Sequence, residues 1–324
     1  MRKLSKALFK KISQFLTNRR DNSDSDETPA GKWSIGVYAG TSPLRLNSPE
    51  TIVNPVLTAK DVTDASANFV ADPFMIKADS TWHMFFETEV LNAGEENKGK
   101  IGLATSKDGF HWKYEKIILD EPFHLSYPYV FKWENEYYLI PETRKLRSVR
   151  LYKATDFPTK WVFEKTLIKK KRYADSSVFQ YNGHWWMFTE SGHSTLRLYY
   201  ANSLLDAWTE HPKSPVIKKN PSIARPGGRV ITFDNQIIRY TQDAYPHYGR
   251  QVWAFRITEL TTTSYKEEQA CGEIPIITAS GAGWNKLGMH HIDPHLLDDN
   301  QWFACVDGFG EPEETCEVSE TPQV

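Results

Sequence analysis

The sequence predicts an all-β fold, a five-bladed β-propeller, and three observations carry that expectation. A two-strand pattern is written five times, the fifth copy stops short, and an N-terminal stretch resembles the strands that copy lacks. The copies read Asp72-PFMIKADSTWHMFF-Glu87, Tyr127-PYVFKWENEYYLIP-Glu142, Asp175-SSVFQYNGHWWMFT-Glu190, Gly227-GRVITFDNQIIRYTQ-Asp243 and Asp293-PHLLDDNQWFACV-Asp307. Each spans 14 to 16 positions, and the recurrence every 48 to 66 residues is the long period of a radial β architecture.

Within a copy, β-branched and aromatic residues alternate around a turn rich in Gly, Asn or Asp, which reads as a hairpin. Two further strands follow most copies. After Glu87 come IGLATSKDGFHW and KYEKIIL, after Glu142 VRLYKATDFPTKW and VFEKTLI, and after Glu190 LRLYYANSLLDAW and TEHPKSPVI. After Asp243 comes VWAFRITELTTTSY with a less regular continuation, while Asp307 is followed by an acidic tail alone. Residues 33–43 (WSIGVYAGTSP) resemble the third strand of the first unit, and 54–59 (NPVLTA) read as a fourth. The N-terminal strands are therefore expected to complete the last blade, over a propeller covering 32–310, and so remove two exposed sheet edges. Because strand two returns antiparallel to strand one, each opening residue should sit beside its closing residue, all at one end of the channel.

Composition bounds the function. At 324 residues and 40% apolar the chain can bury a large core, and its 11 Trp, 15 Tyr and 17 Phe suit packing between blades. A net charge of −2 argues against nucleic acid as a partner. The run Lys169-Lys170-Lys171-Arg172 lies between two copies and reads as a solvated loop. Cys271, Cys305 and Cys316 show no metal spacing and leave one thiol unpaired, which favours a reducing, cytoplasmic compartment. Residues 1–20 put Leu4, Leu8, Ile12, Phe15 and Leu16 on one stripe against seven Lys and Arg. This basic amphipathic leader reads equally as a peripheral contact to an anionic membrane and as a disordered or partner-binding segment. Residues 21–31 read as a flexible linker and 311–324 as a disordered acidic tail.

At ADPFMI…WHMFFE and its later copies, the chain resembles the five-bladed propellers of glycoside hydrolase family 43. FVADPFMI, DEPFHLSYPYVF, IPET, RPGGRV, QDAYPHYG and GMHHIDPH are more closely similar to the N-terminal domain of plant glucosamine inositolphosphorylceramide transferases and to bacterial stand-alone relatives. The first resemblance implies an Asp-Pro general base in blade one, a pKa-adjusting Asp opening blade two and a Glu acid opening blade three. Here Asp72 matches the base, but Tyr127 and Asp175 stand at the other two positions. In the plant proteins sugar transfer belongs to a separate C-terminal glycosyltransferase domain, for which this chain has no room. The resemblance thus implies a glycan or glycolipid ligand and, in one reading, a glycosyltransferase partner.

Inverting cleavage of a glycosidic bond needs two carboxyls about 6.5–9.5 Å apart, one protonated and one ionised, and crowded acids in a dry pocket can supply both states. The catalytic candidates are Asp72 as base and Asp175 as acid, with Glu142 and Glu190 as alternative acids. Tyr127 is expected to be a hydrogen-bonding wall. Arg225 and Arg229 would grip an anionic sugar or else neutralise the acids, and Gln242, Asp243 and Tyr248 would meet hydroxyls. Glu87 and Asp307 are assigned to capping backbone amides, and Asp293 to an Asp-Pro turn. No cofactor is expected beyond a channel cation that the resemblance places near His291. A non-catalytic glycan-binding propeller remains the rival reading.

Overall fold

The structure, a computed structural model, describes residues 31–94, 96–298 and 301–311; the leader, the linker up to residue 30 and the tail beyond residue 311 lie outside the described residues. Five antiparallel sheets form the five blades of the propeller, and helical structure among the described residues is confined to short 3-10 turns. Strands β1 (Lys32–Ser42) and β2 (Arg45–Asn47) come first. Blade I is β3 (Ala67–Ala78), β4 (Thr81–Val90), β5 (Lys98–Ser106) and β6 (Lys113–Leu119). Blade II is β7 (Ser126–Trp133), β8 (Glu136–Glu142), β9 (Ser148–Asp156) and β10 (Lys160–Lys169). Blade III is β11 (Tyr173–Tyr181), β12 (His184–Ser191), β13 (Thr195–Ala201) and the short β14 (Thr209–Glu210).

Blade IV departs from the four-strand plan. Its first strand is broken into β15 (Arg225–Pro226) and β16 (Ile231–Phe233), both on β17 (Gln236–Asp243). Beyond these, β18 (Gln251–Leu260) carries β19 (Tyr265–Gln269) and β20 (Ile277–Thr278). The break falls at Gly227-Gly228. Gly228 has φ 145°, and a Cβ there would lie 1.7 Å from the Ile292 carbonyl oxygen. Only glycine allows the two backbones to approach this closely.

Blade V closes the ring in the order β2-β1-β22-β21, with β21 (Ile292–Asp298) and β22 (Gln301–Gly310) from the C-terminal end. Strand β1 pairs with β22 from Lys32↔Gly310 to Gly40↔Trp302, so the N-terminal stretch does complete the last blade. The fourth strand is not 54–59, however. Arg45–Asn47 folds back on β1, and of the 54–59 stretch Leu57 contributes an isolated bridge to Ile35. The stretch opens at Asn54-Pro55, where proline has no N–H to donate to a ladder.

An aromatic pair spans every blade interface. Phe85 meets Trp161 at 5.5 Å between blades I and II, Phe131 meets Trp185 at 5.5 Å between II and III, and Phe188 meets Tyr265 at 5.8 Å between III and IV. Phe233 and Trp302 lie 5.6 Å apart between IV and V, and Trp82 and Phe303 close the circle at 4.8 Å. Each such pair adds about 0.5–1.5 kcal/mol beyond its buried area, so the abundant aromatics are chiefly the mortar between blades.

Candidate functional site

The innermost strands of three blades begin with the same device. Pairing runs Ala71↔Glu87 then Phe74↔Phe85, Ser126↔Glu142 then Tyr129↔Ile140, and Ala174↔Glu190 then Ser177↔Phe188. One extra residue is therefore bulged out in each case, and that residue has a positive φ: 52° at Asp72, 46° at Tyr127 and 48° at Asp175. A bulge re-aims a side chain, and a non-glycine residue in this region costs about 1–3 kcal/mol. Repetition of the strain in three blades marks the rim where these side chains converge.

Hydrogen bonds hold the bulges. The Asp72 amide donates to Asp307 Oδ2 at 3.0 Å. The Tyr127 hydroxyl reaches across the ring, accepting from the Gly228 amide at 2.8 Å and lying 2.9 Å from Ser177 Oγ. Tyr127 is fully buried, so it braces blades II, III and IV beneath the mouth rather than walling a ligand. Asp175, with 1% of its side chain exposed, is gripped by Arg225 through Nε at 2.5 Å and a second nitrogen at 3.3 Å, while Gln242 Nε2 donates to it at 2.9 Å. Such a bidentate pair leaves Asp175 poorly placed to donate a proton. The expected acid is instead a structural counter-ion.

Three of the rim carboxyls keep an outlet to solvent. Side-chain exposure is 7% for Asp72, 9% for Glu87 and 12% for Glu142. Burial, and then the charge of Asp175, push the Glu142 carboxyl up to about 8, against Arg225, whose nearest nitrogen is 3.8 Å away. Asp72 is also raised well above the usual carboxylate range, by burial first and then by Asp175, Glu87 and Asp307. Its nearest cationic candidates are His290 Nε2 and His291 Nδ1, each 3.6 Å from Oδ1. Glu190 is fully buried and neither oxygen has a well-formed hydrogen bond; burial raises it, and the Arg225 charge opposes that rise.

The remaining candidates divide. Arg225 lies at the mouth, with its guanidinium 5.2 Å over the half-exposed Tyr248 ring. Gln242 is also there, although its amide is spent on Asp175 and the Pro226 carbonyl. Arg229 is not a ligand group: it is paired with Asp293 at 2.6 Å and donates to the Met75 carbonyl at 3.1 Å. Asp243 serves its own loop, accepting from the Tyr245 amide, Gln251 and Trp253 at 3.0–3.3 Å.

Registers in blades IV and V also differ from the sequence expectation. Gln242, not Asp243, is across from Arg225, and Asp293 pairs with Cys305, which leaves His291 across from Asp307. Asp307 caps backbone as expected, accepting from the amides of Asp72, His290 and His291 and from His290 Nδ1 at 2.7 Å. Burial would raise it, but His290 and those amides hold it below the usual range. Glu87 faces His124 Nε2 at 3.3 Å instead of capping amides.

Sequence reasoning missed Trp33 and His124 and, in the run Met289-His290-His291, singled out His291 rather than His290. Trp33 stacks on His290 at 4.0 Å, and Tyr248 meets the same imidazole edge-on at 5.2 Å, giving the mouth an aromatic wall. The available signal was the placement of Trp33 at the start of the closing strand, beside the blade V rim. His291 is fully buried with both ring nitrogens unpartnered, and burial lowers its imidazole to about 4. It is flanked by the Phe74 and Tyr127 edges, with Asp72 its near carboxylate. One nitrogen and one oxygen are too few donors for a hard cation, which takes six or more oxygens. Asp72, His290 and Asp307 also bring three ligand atoms within 4.8 Å, but both Asp307 oxygens already accept from three backbone amides and His290 Nδ1, which leaves one carboxylate and one ring nitrogen open. The residues present do not fit the expected cation.

The family described as "Glucosamine inositolphosphorylceramide transferase 1, N-terminal" matches residues 24–309. "Glucosamine inositolphosphorylceramide transferase 1" of Oryza sativa subsp. japonica is 40% identical over 301 residues, covering 86% of this chain and 40% of that protein. Its Arabidopsis thaliana counterpart is 33% identical over 305 residues, covering 87% and 39%. The chain therefore spans about two fifths of the relatives it matches. Among solved structures, a putative glycoside hydrolase from Parabacteroides distasonis superposes with TM-score 0.58 at 14% identity, covering 80% of this chain and 95% of that one. The GH62 α-L-arabinofuranosidase catalytic domain of Coprinopsis cinerea does so with TM-score 0.57 at 13% identity, covering 86% and 98%. At such identities the likeness establishes the fold.

Proposed function

We propose, for a chain that belongs to the glucosamine inositolphosphorylceramide transferase N-terminal family, a carbohydrate-active site of the glycoside hydrolase type. It would act on a glycan or glycolipid through Glu142 and Asp72. The observation that carries this reading is two carboxyls with an outlet to solvent on one rim, Glu142 held protonated near neutral pH and Asp72 raised above the usual range as well. Glu142, with its proton at pH 7, suits the general acid that protonates a leaving oxygen. Asp72 suits the base: it keeps an outlet to solvent, its bulge is anchored by Asp307 and His290 Nε2 stands 3.6 Å away, whereas Glu87 is taken by His124. Trp33 and Tyr248 supply faces for a sugar ring.

A binding-only propeller is the second reading, and two observations favour it. Asp175 is locked by Arg225, and the high affinity of Asp72 for a proton works against its acting as a base. Neutral carboxyls hydrogen-bond sugar hydroxyls well without cleaving anything. A glycan array followed by a reducing-end assay on the hits separates the two. Catalysis predicts that Asp72→Asn and Glu142→Gln each lower turnover by about 10²-fold or more while binding persists. Absence of turnover on every array hit overturns the catalytic reading and leaves the binding one.

A further inference from the structure

We infer that the cleft beside Glu142, between blades I and II, is a subsite for a phosphate ester on the ligand. The cleft holds about 660 Å³ and is lined by the cations Arg144, Lys145 and Arg172, by His124 and Asn97, and by three carboxyls, Glu89, Glu96 and Glu142. That volume suits a small phosphorylated sugar or a lipid headgroup.

The fold gathers these cations from two distant tetrapeptides. Arg144-Lys145-Leu146-Arg147 forms the short turn after β8, and Lys169-Lys170-Lys171-Arg172 leads out of β10. Ser148 pairs with Lys169, and the Lys171 amide donates to the Arg147 carbonyl at 2.8 Å, so the two runs lie side by side. What reads in the sequence as a solvated loop is half of a seven-cation corner.

Partners cancel some of these charges but not the two guanidiniums. Lys145 is paired with Glu96 at 2.8 Å, and His124 with Glu87 at 3.3 Å. Glu89 accepts from the amides of Asn68 and Asn97, and Glu142 tends to keep its proton. Arg144 touches His193 at 3.0 Å, an imidazole whose pKa is lowered by burial and by Arg144 itself. Arg172 enters no ion pair among the described residues. Two forked donors facing one small cleft match the oxygens of a phosphate, and the flanking lysines raise the local anion concentration. A phosphate held there would set the attached sugar over Glu142. The sugar half of this assignment rests on the function proposed above; the phosphate half does not.

The test uses the full chain. Calorimetric titrations with glucose 6-phosphate, glucose and inorganic phosphate run beside flotation on phosphatidylcholine vesicles with and without phosphatidic acid. Glucose 6-phosphate or the phosphatidic acid vesicles should bind at least tenfold more tightly than glucose or plain vesicles. The Arg144→Ala/Arg172→Ala variant should lose at least tenfold, and Lys218→Ala on another blade should lose nothing. Preference for the soluble ester names a free sugar phosphate as the source, and preference for vesicles names a headgroup. Failure of every phosphate probe to bind, or wild-type affinity in a double variant whose melting temperature is unchanged, overturns the subsite. Phosphate binding without glycan turnover would retain the subsite and sink the catalytic reading; turnover indifferent to Arg144 and Arg172 would do the reverse.

Discussion

Replacing Arg225 with Met should unlock the mouth and destabilise the whole propeller. Arg225 grips Asp175, whose side chain is 1% exposed, and its charge also opposes the upward push on Asp72, Glu142 and Glu190. Removing one partner of a buried pair costs about 3–5 kcal/mol. At about 2 °C per kcal/mol, the lower slope appropriate to a domain of this size, the melting temperature should fall by about 6–10 °C. The loss should depend on pH in a stated direction. Without Arg225 the folded-state pKa values of Asp72, Glu142 and Glu190 rise further, while their unfolded values stay put. Below about pH 4 these acids are protonated in both states and the added charge penalty is absent; it grows as pH rises. Urea melts of wild type and Arg225→Met at pH 5 and pH 8 measure this. The Asp175→Asn/Arg225→Met variant, with both charges gone, should recover most of the loss. A single variant within about 1 kcal/mol of wild type at pH 8, or a double variant no better than the single, would refute the argument.

Glu142→Gln isolates one titration. With its pKa raised from the ordinary 4.5 to about 8, Glu142 contributes stability that is full below pH 4.5 and is lost as pH climbs through 8. The Gln variant should therefore gain on wild type between pH 5 and pH 9 in urea midpoints, and parallel pH profiles would contradict that. Gly228→Ala drives a methyl to 1.7 Å from the Ile292 carbonyl oxygen. It should cost about 1–3 kcal/mol or more, since Gly228 cannot shift without releasing the Tyr127 brace; a loss below about 1 kcal/mol in calorimetry would show that the two blades yield.

The architecture was legible because the hairpin pattern repeats and because WSIGVY looks like a third strand. What misled was substitution within the repeat. The closing residue follows an apolar-x pair in Phe85-Phe86-Glu87, Ile140-Pro141-Glu142 and Phe188-Thr189-Glu190. The same spacing at Tyr240-Thr241 selects Gln242, but the search for a carboxylate settled one residue later on Asp243. In blade V the Asp-Pro at Asp293 imitates the Asp-Pro of blade I, although β22 pairs two residues out of that register. Strand β2 is three residues long and offers too little alternation to read. The Arg225–Asp175 lock joins residues 50 positions apart in different blades, and no local pattern encodes which of several acids an arginine will meet.

The five closing positions show how a repeated scaffold yields an unsymmetrical site. Pairing gives each the same backbone environment, yet Glu87 is taken by His124, Gln242 by Asp175, and Asp307 by three backbone amides and His290. Glu190 is sealed from solvent with neither oxygen in a well-formed hydrogen bond. Glu142 alone of the five combines an outlet to solvent with a proton retained near neutral pH. Among the opening residues Tyr127 is a brace and Asp175 a counter-ion, so Asp72 is left by the same elimination. The neighbours that occupy the other acids thus leave the pair proposed to act, which is why the strongest test of function lies at Asp72 and Glu142, and the strongest test of the frame at Arg225.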